Sequence, residues 1–321
     1  MLSRAEIARL MPYADYVDAL DAALRAAESG AALAPPAAAF HVPGGGYHAK
    51  AAALLSGDLP VMAIKLNGNY PGNPAKHKLP TVQGIIYLAD ATNGRPLALM
   101  DSIEVTINRT GAATTLAARH LARPDSRIAT ICGAGVQGRI QLTAIAAAAK
   151  LERVHVWDID RAASERLAAE MAARLELPVA ASGLDAARES DIVVTCSSAR
   201  QPFLTPDLVR PGTFIAAVGA DNDDKSEIAP ALYARAQVTV DSLEQCAEIG
   251  DLHHALAAKA VTRDHVHATL GEVVSGKKPG RTDPRAITLF DSTGMGLQDV
   301  AAAAAIYRRA CMQNAGTRLV L

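Results

Sequence analysis

Aromatic side chains are scarce: phenylalanine, tryptophan and tyrosine make up 4% of the 321 residues, although half of all residues are hydrophobic. Packing therefore falls to alanine and the small aliphatics. Charge of one sign is also missing, since 32 basic residues nearly cancel 33 acidic ones and leave a formal net charge of -1. That excludes a broad basic field for nucleic acid, and no RNA-binding motif is present. Cysteine is rare as well. Cys132, Cys196, Cys246 and Cys311 are scattered without CxxC spacing, which argues against a disulfide or zinc framework and reads as four buried thiols in a reducing compartment. No apolar run approaches a membrane span, and the N-terminus carries no basic-then-apolar leader. A soluble cytoplasmic protein, with neither nucleic-acid nor membrane partners, is expected. The nine histidines give no metal site: His253-His254 and His265-x-His267 lack an HExxH motif or a cysteine partner set and read as helix ends and solvent.

What the chain does have is a glycine turn in a telling setting. Ile128 to Cys132 is a short apolar run, and Gly133, Ala134, Gly135, Val136, Gln137 and Gly138 then open a helical pattern. In a strand–turn–helix of this kind the first glycine makes the turn, the second lets the backbone approach a pyrophosphate, and the third permits close helix–strand packing. The helix N-terminus offers N–H groups and a partial positive charge to phosphate. A second strand, Arg153 to Asp158, ends on an acid 25 positions after Gly133, near the spacing of about 20 for a ribose-binding carboxylate. Asp158 favours NAD over a 2′-phosphate, while Arg161 leaves NADP open.

The length suggests two domains. Ser3 and Glu6 have capping-box spacing, and Tyr13, Val17, Leu20 and Leu24 share one face of an amphipathic helical segment closed by Gly30. Short strands follow: Ala39 to Val42, a Gly44-Gly45-Gly46 turn, Tyr47 to Leu54, Val61 to Asn67, Thr81 to Ala89 and Pro96 to Asp101, the last two joined by an Asn93-Gly94 hairpin turn. This first region reads as a mostly antiparallel sheet. In the strand from Val61, alternation puts Lys65 on a face with Val61 and Ala63. An alanine-rich helix from Ile103 to Ala122 carries Arg109 and stops before a hinge at Arg123 to Ser126. Beyond it, βα alternation continues, with a helix after Asp158 striped by Leu167, Met171 and Leu175. Further strands fall at Asp191 to Ser197, Thr213 to Gly219, Gln237 to Asp241 and Ile287 to Asp291, and a closing helix at Gly296 to Cys311 is long enough to pack back on the first region.

Several blocks then carry a resemblance across nearly the whole chain: MAIKLNGNYPGNP from 62, LPTVQG from 79, LALMDS from 97, NRTGAAT from 108, LARPDS from 121, GAGVQG from 133, VGADNDDKSEI from 218 and FDSTGMGLQDVA from 290. Together they resemble the ornithine cyclodeaminase/mu-crystallin family. The resemblance implies an α/β protein: a Rossmann NAD(P)-binding domain at 126–299, and a discontinuous α+β domain, 1–125 plus 300–321, whose mostly antiparallel sheet serves dimerisation. It implies a homodimer, and a site in the cleft between that sheet and the carboxyl ends of the Rossmann strands.

The same resemblance assigns roles. Lys65 matches the active-site lysine; an ammonium on an apolar face can pair with a carboxylate, or polarise and protonate an imine if burial lowers its pKa. Arg109 matches the arginine that contacts the substrate carboxylate, for which a guanidinium fork is suited. Asp221, after the strand end Ala217 to Ala220, matches the catalytic aspartate; Lys225 beside it reads as structural. The arginine that many members carry after the proline pair is absent here, where Pro35-Pro36 precedes Ala37. His48 and Lys50, on one face of the next strand, are the candidates to replace its charge, and a histidine at 48 in place of an acid speaks against ornithine. Thr195, Ser197, Val218 and Gly219 are expected to line the cofactor, with Thr293 and Gly294 near the nicotinamide. The expected activity is NAD(P)-dependent reduction of a 2-imino acid, cyclic or formed from a keto acid and an amine, or the reverse amino-acid dehydrogenation. The alternatives are a cyclodeaminase that uses NAD catalytically and a non-catalytic, mu-crystallin-like binding protein.

Overall fold

A computed structural model describes residues 1–319. The chain divides into two compact units, Met1–Ala112 with Met295–Leu321, and Ala113–Gly294.

The first unit opens with α1 (Arg4–Leu10) and α2 (Tyr13–Glu28). Ser3 and Glu6 form the expected capping box. The single helical segment read from the sequence is broken in two: Met11 is extended and Pro12 caps α2, because a residue before proline is pushed out of the helical region. Strands β1 (Ala32–Leu33), β2 (Ala38–Val42), β3 (Gly45–Leu54) and β4 (Val61–Asn69) lead into α3 (Asn73–His77), β5 (Val82–Asp90), β6 (Pro96–Asp101) and α4 (Ser102–Leu121), a helix that continues into the second unit. The sheet order is β1-β3-β4-β5-β6 with β2 also on β3, and every pairing is antiparallel. Of the three glycines expected to turn, only Gly44 does so, at φ +87. Gly45 and Gly46 belong to β3; a Cβ on Gly45 would lie 2.6 Å from both the Asn69 carbonyl oxygen and the Tyr70 ring, so close packing requires a glycine there.

The period of two divides this sheet sharply. Val61, Ala63, Lys65 and Asn67 are buried, whereas Ile64 and Leu66 are 38% and 39% exposed, and Ile85, opposite Leu66, is 48% exposed. One face is a core; the other is apolar and uncovered in the single chain.

The second unit alternates strand and helix: β7 (Ile128–Cys132), α5 (Val136–Ala148), β8 (Arg153–Trp157), α6 (Arg161–Leu175), β9 (Val179–Ala181), β10 (Ile192–Thr195) and β11 (Phe214–Ala217). Then come α7 (Pro230–Tyr233), β12 (Ala236–Val240), α8 (Leu243–Ile249), α9 (Asp251–Ala257), β13 (Val266–Thr269), α10 (Leu270–Ser275) and β14 (Ile287–Asp291). The strands form one parallel sheet in the order β13-β12-β14-β11-β10-β7-β8-β9. The apolar runs of β10, β11 and β14 are buried almost throughout, as a sheet covered on both faces requires. The crossover beside β7 makes the β7–β10 pair the switch point, where such sheets bind ligands.

The chain then returns to the first unit as α11 (Gly296–Met312), packed on α2, β3 and β4. Its first residue is a glycine for a steric reason: a Cβ there would meet the Ala51 carbonyl oxygen at 2.4 Å. Cys132, Cys196 and Cys246 are buried, as expected, but Cys311 is exposed, because the last turn of α11 presents it outward from the core-facing Ala310.

Candidate active site

Pleating sends Lys65 into the covered face of the first unit's sheet, where it is 4% exposed. Lys50 lies directly opposite it on β3, and His48 lies opposite Asn67, so all three basic residues share that face. Arg109 arrives from α4 and Asp299 from the first turn of α11. Lys65 Nζ donates to Asp299 Oδ1 at 3.0 Å and lies 2.8 Å from Oδ2; Arg109 Nε donates to the same Oδ1 at 3.1 Å. Arg109 Nη1 donates to Gln298 Oε1 at 2.5 Å. Two buried cations thus share one buried carboxylate.

Removing charges from water costs several kcal/mol per ion even after relaxation, so the cluster must adjust its protonation. Burial, followed by repulsion from Arg109, brings Lys65 down to about 7 against the upward pull of Asp299. Burial pushes the Asp299 carboxyl up, but Lys65, Arg109 and Lys50 outweigh it and hold Asp299 below its ordinary value. The site therefore contains an amine poised to carry or release a proton near neutrality, beside an arginine held at Nε by Asp299 and at Nη1 by Gln298. Asp299 and Gln298 were not singled out from the sequence; the signals were two polar residues at the head of the apolar run LQDVAAAAA and their place in the block FDSTGMGLQDVA.

In the second unit the glycine turn has the shape that a phosphate cradle needs. Gly133 sits at φ +121, and a Cβ on Gly138 would lie 2.0 Å from the Gly133 carbonyl oxygen. Gly135 is different: a Cβ there would meet nothing within 4 Å. It is the N-cap of α5 and supplies no side-chain cap, so the first-turn N–H groups of the helix have no side-chain partner at this cap, the arrangement that lets a helix N-terminus receive a phosphate. Val136 is 55% exposed on the rim, and Gln137 Oε1 is buried without a hydrogen-bond partner. Asp158, at the end of β8, accepts from Ala134 N at 2.7 Å and from Asp160 N at 2.9 Å, so its carboxylate closes the turn beside the cradle. Arg161 is exposed and paired with Glu165 on α6.

The loops after the neighbouring strands are tied by buried acids that the sequence reading missed. Glu227 accepts from Ser197 N and Ser197 Oγ at 2.6 and 2.7 Å, and from Gly219 N at 3.0 Å. It thereby joins the turn after β10, which begins at buried Thr195, to the turn after β11, where Val218 is buried too. A Cβ on Gly219 would meet Glu227 at 2.4 Å. Burial, reinforced by Asp251, pushes Glu227 upward. Asp241 accepts from Gly294 N at 2.6 Å, while Gln245 Nε2 donates to Thr293 Oγ1 at 2.6 Å. Asp221, 54% exposed by its side chain, pairs with Lys225 Nζ at 2.6 Å. His253, His254 and His265 hydrogen-bond to main-chain oxygens.

Parallel sheet, glycine turn and uncapped helix N-terminus together make the second unit a Rossmann dinucleotide-binding unit. Residues 1–314 match the profile of the ornithine cyclodeaminase/mu-crystallin family, and the chain belongs to that family. An iminosuccinate reductase from Paracoccus denitrificans is 38% identical over 247 residues, covering 77% of this chain and 76% of that one. Among solved structures, an archaeal alanine dehydrogenase dimer with bound NAD superposes with a TM-score of 0.95 at 33% identity, covering 99% of this chain and 98% of that one. The Δ1-pyrroline-2-carboxylate reductase of Thermococcus litoralis, in complex with NADH and L-proline, gives 0.94 at 33% identity and covers 99% of each chain.

Proposed function

We propose that this protein is an NAD-dependent oxidoreductase that reduces a 2-imino acid, cyclic or formed from a keto acid and an amine, to the amino acid, and runs the reverse dehydrogenation. The observation that carries this reading is the buried Lys65–Arg109 pair on one carboxylate, with Lys65 brought near neutrality. It is supported by relatives whose names specify imine reduction or alanine dehydrogenation.

Arg109 and Lys50, assisted by His48, hold the substrate carboxylate, replacing the charge lost at Ala37. Lys65 Nζ donates to the imine nitrogen, which keeps that proton as it becomes the amine. A nicotinamide cofactor held by the glycine turn would supply the hydride that the imine carbon needs. Asp221 keeps the proton-handling role of the family motif, with Lys225 as its ion-pair partner. Gly133 through Gly138 hold the pyrophosphate. Asp158 receives a ribose hydroxyl, which favours NAD, while Arg161 admits NADP. Thr195, Ser197, Val218 and Gly219 line the cofactor and Thr293 and Gly294 flank the nicotinamide. The protein works as a homodimer through the uncovered face bearing Ile64, Leu66 and Ile85. A cytoplasmic setting is consistent with its unpaired thiols; among the described residues no helix is long and apolar enough to cross a membrane.

Absorbance at 340 nm tests the activity, with NADH and NADPH in turn against pyruvate plus ammonia, Δ1-pyrroline-2-carboxylate and Δ1-piperideine-2-carboxylate. Oxidation of either cofactor with an imine, abolished in Lys65→Ala, is the expected result. Ammonia release from ornithine without net cofactor change would replace it with a cyclodeaminase.

A further inference from the structure

Lys65 and Arg109 account for two of the buried charges around one carboxylate; the carboxylate itself has no role in the reaction as written. Its placement is elaborate. Asp299 is 1% exposed, stands in the first turn of a 17-residue helix, and contacts both cations with Oδ1. The helix end is seated against β3 where a Cβ would not fit, Gly296 over the Ala51 carbonyl. Asp299 takes the Nε of Arg109 and Gln298 takes Nη1, so two of the three guanidinium nitrogens are held by the first turn of the same helix. Gln298 Nε2 is buried and has no hydrogen-bond partner, an orphaned donor beside the same arginine.

We propose that Asp299 is a positioning residue of the reaction: its carboxylate fixes the Lys65 ammonium and the Nε edge of Arg109 side by side. The substrate carboxylate then meets Arg109 from the Nη2 side together with Gln298 Nε2, while Lys65 keeps one N–H for the substrate nitrogen. The inference rests on the imine-reductase reading. Other charges facing Asp299 are Lys65 from β4, Arg109 from α4 and Lys50 from β3; none is an acid that could substitute for it. An opposite charge at this distance favours the ammonium, so loss of the Asp299 charge leaves Lys65 deprotonated at lower pH.

The test is Asp299→Asn, with Asp299→Glu and Gln298→Leu, read as kcat and KM across pH 5.5 to 9. Asp299→Asn should lower kcat/KM about 100-fold and move the alkaline fall in activity toward acid by about one pH unit or more. Asp299→Glu should keep the wild-type pH profile at a reduced kcat, and Gln298→Leu should raise KM for the imino acid without moving the profile. An Asn variant that is slower with an unmoved profile overturns the proposal, as does a Glu variant with wild-type kcat should the Asn protein not fold. If the wild type turns over no imine, the functional reading has failed instead. Calorimetry of pyrrole-2-carboxylate binding to the NAD-loaded protein then decides the proposal, in buffers of different ionisation enthalpy. Greater proton uptake by the Asn variant than by wild type at pH 7 supports it, and equal uptake or no binding to the wild type overturns it.

Discussion

Two glycines, three positions apart on the same turn, should respond to alanine in opposite ways. At Gly138 the new methyl would stand 2.0 Å from the Gly133 carbonyl oxygen and 3.1 Å from Leu167. An ordinary contact needs 3.4 Å or more, so α5 must move more than an ångström from a turn that cannot retreat. Gly133 is itself pinned, since the space where its own Cβ would stand lies 2.8 Å from the Cys196 carbonyl oxygen. Overpacking against backbone costs about 1–3 kcal/mol or more, and Gly138→Ala should lower the melting temperature by several degrees. At Gly135 the methyl enters open space at an ordinary φ of -81, so stability should be unchanged within about 0.5 kcal/mol. In the proposed function that space receives the cofactor's pyrophosphate. Displacing even one hydrogen bond to a charged group removes about 1.5–3 kcal/mol, or roughly ten- to a hundred-fold in Kd. Calorimetric titration with NADH, beside thermal unfolding of the unliganded protein, separates the two effects. Wild-type NADH affinity in Gly135→Ala, with its melting temperature intact, would refute the assignment of a pyrophosphate to this turn.

Other outcomes follow from the charges and the faces. If Lys65 donates the proton, kcat/KM for imine reduction should fall as pH rises through about 7; a profile flat from pH 6 to 8 would exclude Lys65 as the donor. Its depressed value also means that the unfolded chain binds more protons between about 7 and 10.5, so this residue's contribution to stability rises with pH across that window. Glu227 has the opposite sign. Its folded value is raised by burial and Asp251, so stability falls as pH rises from the ordinary glutamate range toward neutrality. Glu227→Gln should flatten that component and weaken NADH binding about tenfold by loosening the turns at Ser197 and Gly219; an unaltered difference in melting temperature between pH 5 and 8 would count against it. Leu66→Lys combined with Ile85→Lys should convert a dimer to monomer by light scattering, without loss of fold, and a monomeric wild type would remove the dimer face.

The features legible in the sequence were those whose causes are local. Alternation put Lys65 on one face of β4 with Val61 and Ala63, and the glycine spacing with Asp158 found the Rossmann turn, because both depend on neighbours within one or two elements; which face of β4 is covered depends on α11, far along the chain. The edge strands β9 and β13 went unseen: at three and four residues, with one buried side chain, Ala268, between them, they lack the apolar run that marked β10 or β14. Pro12 split a helix whose apolar stripe ran on either side of the break. Asp299 escaped for a different reason. Its partners Lys65 and Arg109 lie 234 and 190 positions away, and no pattern in LQDVAAAAA announces which charge it will meet. Glu227 is similar, an acid in a polar loop until the fold closes over it.

Because the first unit is completed by α11, a chain being synthesised presents Lys65 long before its counter-ion exists. At roughly 5–20 residues per second, the 234 positions to Asp299 take roughly 12 to 47 seconds. Throughout that interval the antiparallel sheet lacks its covering helix, so both of its faces stand open, while the whole parallel-sheet unit is made and can fold. The order of synthesis is thus written into the chain: every residue of the dinucleotide unit is made before the helix that covers the antiparallel sheet and carries its single negative charge.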